Sequence, residues 1–244
     1  MKKHIPNIIT CCNLLCGCMA TYVAFMSVSK PGPYYLIVAF CFIIGGAVFD
    51  FFDGFTARLL GVSSPIGKEL DSLADVITFG LSPAAIVFDV LCWILPEAYT
   101  WAAAVALLIA AFSALRLAKF NLDTRQTMGF IGLPTPANAL FWGGLALTLM
   151  QHRTWCEDNA VPVSILLVVG VLLSCWLLVC EVPMFALKFH DYSWKNNRLR
   201  YSFILASAAI IVLTKWTGLA IVVVLYVVLS ILQSLLPQKV KSEE

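Results

Sequence analysis

Four aspartates, Asp50, Asp53, Asp71 and Asp75, stand in otherwise apolar sequence at a regular spacing. Asp50 and Asp53 are three residues apart and Asp71 and Asp75 four apart, so each pair falls on one helix face. At about 100° per residue, Asp50, Asp53, Gly54 and Ala57 form one stripe with Arg58 at its edge, and Asp71, Asp75, Thr78 and Ser82 form another. Residues 61–69 read as a short loop joining the two helices antiparallel, which turns the stripes toward each other. Carboxylates brought this close penalise one another's charge, so the pattern calls for a cation. No His or Cys stands at a matching position, and all-oxygen ligation points to a hard ion: magnesium, manganese or calcium. Two such ions can clamp the attacking and leaving oxygens of a phosphoryl transfer.

The small and basic neighbours suit that chemistry. Gly54 and Ala57 leave room beside the carboxylates, Arg58 can meet a phosphate with two parallel hydrogen bonds, and Gly67 permits close backbone approach. Taken alone, Gly54 and Ala57 would describe a helix-packing face and Arg58 an interfacial cation. Their coincidence with four aspartates favours a site.

The elements that position these residues must be membrane helices. Of 244 residues, 61% are hydrophobic and 12% charged, more apolar surface than a soluble domain of this size can bury. Apolar runs mark eight candidate spans at 8–27, 34–59, 71–90, 99–119, 134–151, 161–187, 199–215 and 218–236. With both termini on the cytoplasmic side, only Lys30, Arg153 and Lys215 of the sixteen Lys and Arg lie outside. Lys2, Lys3, Arg58, Lys68, Arg116, Lys119, Arg125, Lys188, Lys195, Arg198, Arg200, Lys239 and Lys241 lie inside, which puts the aspartates near the cytoplasmic surface. The basic start followed by an apolar run is read as a retained first helix, since no cleavage site follows. No linker divides the chain, so residues 1–244 are read as a single integral membrane domain, all α-helical. A net charge of +2 gives no reason to expect a nucleic-acid partner. The nine cysteines, mostly within apolar runs, read as small packing residues rather than a disulfide framework.

Written out, Asp50-x2-Asp53-Gly54-x2-Ala57-Arg58-x8-Gly67-x3-Asp71-x3-Asp75 fills all eight positions of a pattern that resembles the signature of the CDP-alcohol phosphatidyltransferase family. The resemblance implies an enzyme in which an alcohol attacks the lipid-side phosphorus of a CDP-linked lipid and CMP leaves. It implies that Asp50, Asp53 and Asp71 bind divalent metal, and that Asp75 binds metal, acts as the general base, or does both. Two magnesium or manganese ions are expected. Gly54, Ala57, Arg58 and Gly67 would take the nucleotide and its diphosphate. Asn7, Thr10 and Asn13, at helical spacing on the first span, could line the same pocket, although helix capping accounts for Asn7 equally well.

Flanking runs are similar to the phosphatidylserine synthase branch of that family: residues 5–10, residues 71–80, Arg116-Leu117-Ala118-Lys119-Phe120-Asn121, and residues 130–136. Ser72 and Val76 stand where the phosphatidylglycerolphosphate branch tends to carry other residues. The implied substrates are CDP-diacylglycerol and L-serine, with Arg116 and Lys119 for the serine carboxylate and Asn121 or Asn138 for hydrogen bonds. Positive-inside anchoring explains Arg116 and Lys119 equally well. The resemblance also suggests a homodimer, and the compact loops suggest a bacterial inner membrane. Phosphate-bearing acceptors such as glycerol 3-phosphate or inositol phosphate would want more basic residues at the pocket. A divalent-cation transporter would place its acids near the midplane, in a repeated architecture, and no matching set occurs in the second half.

Overall fold

In the computed structural model, residues 4–29, 32–62, 64–123, 130–185, 194 and 197–235 are described. Lys2, Lys3, Lys30, Arg125, Lys188, Lys195, Lys239 and Lys241, used above for orientation, lie outside them. Nine helices and one short strand pair follow in order among the described residues. These are α1 (His4–Ser29), α2 (Pro33–Leu59), α3 (Pro65–Ile94), α4 (Glu97–Leu122), β1 (Phe130–Ile131), α5 (Thr135–Gln151), α6 (Arg153–Asp158), α7 (Ala160–Val179), β2 (Pro183–Met184), α8 (Arg198–Thr214) and α9 (Trp216–Leu235). The strands pair antiparallel, with Phe130 opposite Met184 and Ile131 opposite Pro183.

α3 is the axis of the bundle. Within its most apolar window 72% of residues are buried, against 28–39% in the other long helices. It packs against α1, α2, α4, α5 and α7, and the large core side chains Phe40, Phe79, Ile86 and Trp142 gather around it. The remaining helices therefore turn broad apolar faces outward, as expected where lipid is the solvent. α9 packs on α5 and on α8, which is separated from it only by Lys215 at a φ of 54°.

The start of α3 corrects the sequence reading. Residues 65–69, expected in a loop, are the first turn of the helix. Ser64 caps it by accepting a 3.0 Å hydrogen bond from the Gly67 amide, and Pro65 occupies the first helical position, where a missing N–H costs nothing. The connection between the aspartate-bearing helices is thereby cut to a few residues.

α3 also changes its winding directly after Asp75. Val76–Leu81 form a widened π turn, closed by the Ser82 amide donating to Ile77 O. Pro83 supplies the reason: it lacks an N–H, and its ring would clash with the carbonyl one regular turn back, so the backbone opens there.

Six helices, α1, α2, α3, α4, α7 and α9, are long and apolar enough to cross a membrane. α5 and α8 have 17 residues each, about 26 Å of helix against a hydrocarbon core of about 30 Å. The expected count of eight depends on these two, and their length alone does not establish it.

Candidate active site

The C-terminal half of α2 supplies Asp50 and Asp53, and the first turns of α3 supply Asp71 and Asp75. One carboxylate oxygen each from Asp50, Asp53 and Asp71 lies within 4.8 Å of the others. Asp75 sits one turn further along α3, in electrostatic contact with Asp50 and Asp71 but outside that tight group. Asp71 Oδ1 is buried and has no hydrogen-bond partner among the described residues. Three convergent carboxylates with an unclaimed oxygen fit a hard divalent cation: the donors are oxygen throughout and leave ligand positions open to a substrate.

α1 is the third wall. Thr10 Oγ1 donates to Asp53 Oδ2 at 2.7 Å and lies 3.0 Å from Pro6 O of its own helix. Asn13 Nδ2 donates to Asp75 Oδ1 at 3.3 Å. Deeper in the bundle the polar stripe of α3 turns to α1 instead of the carboxylates. Thr78 donates to Asn13 O at 3.1 Å, and Ser82 donates to Gly17 O at 2.8 Å. The sequence reading grouped Thr78 and Ser82 with the aspartates; the structure gives them to helix packing. Close approach there depends on Gly46, where a Cβ would collide with Thr78 Cγ2 and come within 2.9 Å of Asn13 Oδ1.

Beside the carboxylates opens a cleft of about 270 Å3, lined by Pro6, Asn7, Thr10, Asp53, Gly54, Ala57, Val62, Ser64, Gly67, Lys68 and Asp71. Of the residues expected on the nucleotide side, Asn7, Thr10, Gly54, Ala57 and Gly67 come together, while Asn13 and the exposed Arg58 do not line the cleft. A Cβ at Gly54 would meet nothing within 4 Å, so that face of α2 is open. Gly67 is different. A Cβ there would come within 2.9 Å of Ser64 Oγ and 3.0 Å of Asn7 Oδ1, so glycine lets the first turn of α3 close onto α1. Lys68, read from sequence only as a basic anchor, lines the cleft, and its Nζ lies 3.3 Å from Asn121 O. Its place beside Gly67 was the available signal.

The residues expected for the acceptor divide. Arg116 is 7% exposed, in electrostatic contact with Asp75, and stacks over the Phe120 ring at 5.4 Å. Lys119 is turned to the end of α7, donating to Val179 O at 3.2 Å. Asn121 braces α4 against α3 by donating to Ser72 Oγ at 2.8 Å. A cavity of about 30 Å3, room for about one water, adjoins Arg116 and Lys119.

The sequence profile described as CDP-alcohol phosphatidyltransferase matches residues 3–176, which include every residue of this site. The chain belongs to the CDP-alcohol phosphatidyltransferase family. This family uses divalent metal, in accord with the aspartate cluster. Among curated relatives, a CDP-diacylglycerol–serine O-phosphatidyltransferase of Bacillus subtilis is 31% identical over 188 residues, covering 77% of this chain and 93% of the relative. A protein of the same name from Helicobacter pylori is 31% identical over 172 residues, 69% of this chain and 68% of its own. One from Saccharomyces cerevisiae is 34% identical over 156 residues, 59% and 53% respectively. As a phosphatidyltransferase, the chain has its matched region in the α1–α7 bundle and carries α8 and α9 beyond it.

Proposed function

We propose that the protein is a CDP-diacylglycerol–serine O-phosphatidyltransferase, which moves the phosphatidyl group of CDP-diacylglycerol to L-serine and releases CMP. The observation that carries this reading is the convergence of Asp50, Asp53 and Asp71 within 4.8 Å at the wall of the 270 Å3 cleft, with Asp75 one turn away. The shared name of the relatives directs the choice of acceptor.

Asp50, Asp53 and Asp71 would hold the divalent ions, two of magnesium or manganese, with Asp75 one turn further along α3. Divalent ions bound there would supply charge neutralisation of the diphosphate and so a better leaving group. Gly54 and Ala57 leave the cleft wall open to the nucleotide; Asn7, Thr10 and Gly67 form the facing wall, and Lys68 and Arg58 offer cations to phosphate oxygens. Asp75, oriented by Asn13, takes the proton of the serine hydroxyl. The hydroxyl oxygen bonds to the lipid-side phosphorus as the bond from that phosphorus to the bridging oxygen breaks, and CMP departs with the electron pair. Arg116 holds the serine carboxylate, with Lys119 and Asn121 on the same helix end completing the acceptor side.

In this reading residues 1–244 form one catalytic domain in a bacterial inner membrane, with the site facing the cytoplasm, as the basic bias of the loops favours. The enzyme works as a homodimer.

The test is CMP release by purified protein with CDP-diacylglycerol, magnesium or manganese, and single alcohols, with Asp75→Asn as control. Serine-dependent release that Asp75→Asn abolishes is the expected result. Release only with glycerol 3-phosphate or inositol phosphate would remove serine as the acceptor. Metal uptake into liposomes without any release would replace the enzyme by a transporter.

A further inference from the structure

Outside the cleft the bundle buries polar atoms that have no hydrogen-bond partner among the described residues. Thr135, Asn138 and Ser113 are 0% exposed and Arg116 7% exposed. Among the described residues, Thr135 Oγ1, both Asn138 Nδ2 and Oδ1, Ser113 Oγ and Arg116 Nε have no hydrogen-bond partner. Buried polar atoms are ordinarily satisfied, and this many in one region call for an explanation.

The two helices that carry them pack against the same stretch of α3. Ser113 and Arg116 are three residues apart on α4, and Thr135 and Asn138 three apart on the first turn of α5, so each pair shares a helix face. Ser113 lies against α3 at Gly80, where a Cβ would come within 2.9 Å of Ser113 Cβ. The π turn Val76–Leu81 of α3 packs against both α4 and α5. Arg116 is in electrostatic contact with Asp75 and with Tyr226 of α9. Tyr226 belongs to the same apolar cluster as Leu133, and Ala137, between Thr135 and Asn138 in sequence, packs against that cluster. Not one of the four polar residues lines the cleft assigned to the nucleotide.

We infer that Thr135 and Asn138 are acceptor-binding residues that recognise the ammonium group of a small amino-acid alcohol, opposite the Arg116 guanidinium. The inference rests on the serine-transfer reading above and adds the groups that choose the acceptor. Asn138 Oδ1 and Thr135 Oγ1 accept from the ammonium, while Asn138 Nδ2 and Arg116 donate to the carboxylate. A zwitterion therefore satisfies both halves of the Asn138 amide. A phosphate-bearing alcohol brings no ammonium to Asn138 Oδ1 and Thr135 Oγ1. The cavity beside Arg116, walled by the end of α4, β1 and the end of α7, holds about one water, so the side chains around it move to admit the acceptor, and the new hydrogen bonds offset that opening.

The experiment compares wild type, Asn138→Leu and Thr135→Val, all full length, with serine and with 3-hydroxypropionate, which keeps the hydroxyl and carboxylate but lacks the ammonium. Each variant is expected to raise the serine KM about tenfold or more while the KM for CDP-diacylglycerol changes less than about twofold. The wild-type preference for serine over 3-hydroxypropionate collapses in both variants. A merely structural role would leave that preference intact, and an unchanged preference in the near-isosteric Thr135→Val and in Asn138→Leu overturns the inference while the serine-transfer reading stands. Wild type that releases CMP with a phosphate-bearing alcohol and not with serine overturns both.

Discussion

Asn13, fully buried on α1, donates its side-chain amide to Asp75 Oδ1 at 3.3 Å, while its own backbone carbonyl accepts from Thr78 one turn beyond Asp75 on α3. The side-chain amide thus holds one oxygen of the proposed base, and the Thr78 bond to the Asn13 backbone ties α1 to α3 beside it. Replacing Asn13 with Leu keeps the volume and removes the donor. The expected result is a fall in kcat of about tenfold with the KM for CDP-diacylglycerol nearly unchanged, since Asn13 does not line the cleft. A matching rise in KM would show that Asn13 serves substrate binding instead.

The carboxylate cluster trades apo stability for metal. Asp50, Asp53 and Asp71 repel one another when no cation neutralises them. Asp71→Asn is therefore expected to raise the melting temperature in EDTA, to remove most of the stabilisation that magnesium or manganese gives the wild type, and to lower activity more than about 100-fold. Thr10→Val, which takes away the 2.7 Å hydrogen bond to Asp53 along with the local one to Pro6 O, should weaken metal affinity by about tenfold. Thermal unfolding of both variants across a metal titration checks the pair. Equal metal stabilisation in wild type and Asp71→Asn would contradict the assignment.

The carboxylate stripes were legible because helical periodicity fixes which side chains share a face, and Asp50, Asp53, Asp71 and Asp75 obey it wherever the helix ends fall. Helix ends were harder to read. Polar residues 61–69 look like a loop, but the Ser64 cap and Pro65 start α3 early and turn Gly67 from a loop residue into a contact between helices. The destination of Thr78 and Ser82 depends on the π turn that Pro83 imposes, so a regular wheel assigns them to the wrong neighbours. Lys68 looked like any positive-inside residue because its place in the cleft follows from the shortened connection. Asn138 was one of two asparagines read as hydrogen-bonding to the acceptor, and Thr135 was read only as part of the run at 130–136; that both are buried and without partners among the described residues is a property of packing.

Gly54 and Gly46 lie on the same helix and should respond oppositely. A Cβ at Gly54 meets open space at the cleft wall, so Gly54→Ala inside the helix should raise the melting temperature slightly, and Gly54→Leu should raise the KM for CDP-diacylglycerol by about tenfold or more by filling the cleft. At Gly46 the added methyl strikes Thr78 and crowds Asn13, so Gly46→Ala should destabilise the protein by about 1–3 kcal/mol and lower kcat through the displaced Asn13. Denaturation and steady-state kinetics on the two alanine variants check the contrast. Loss of stability in Gly54→Ala would mean that α2 packs against something there.

The two cations near the cleft make the last prediction. Arg58 belongs to the sequence signature yet is exposed and away from the cleft lining, whereas Lys68 lines it and reaches Asn121 O at 3.3 Å. Both side chains are exposed, so salt screens both, but Lys68 at the cleft wall meets a diphosphate at closer range. Lys68→Ala should therefore raise the KM for CDP-diacylglycerol more than Arg58→Ala does at physiological salt. Both effects should shrink as ionic strength rises. If Arg58→Ala proves the more damaging and stays so in high salt, Arg58 must swing into the cleft when substrate binds, and the end of α2 closes over the diphosphate.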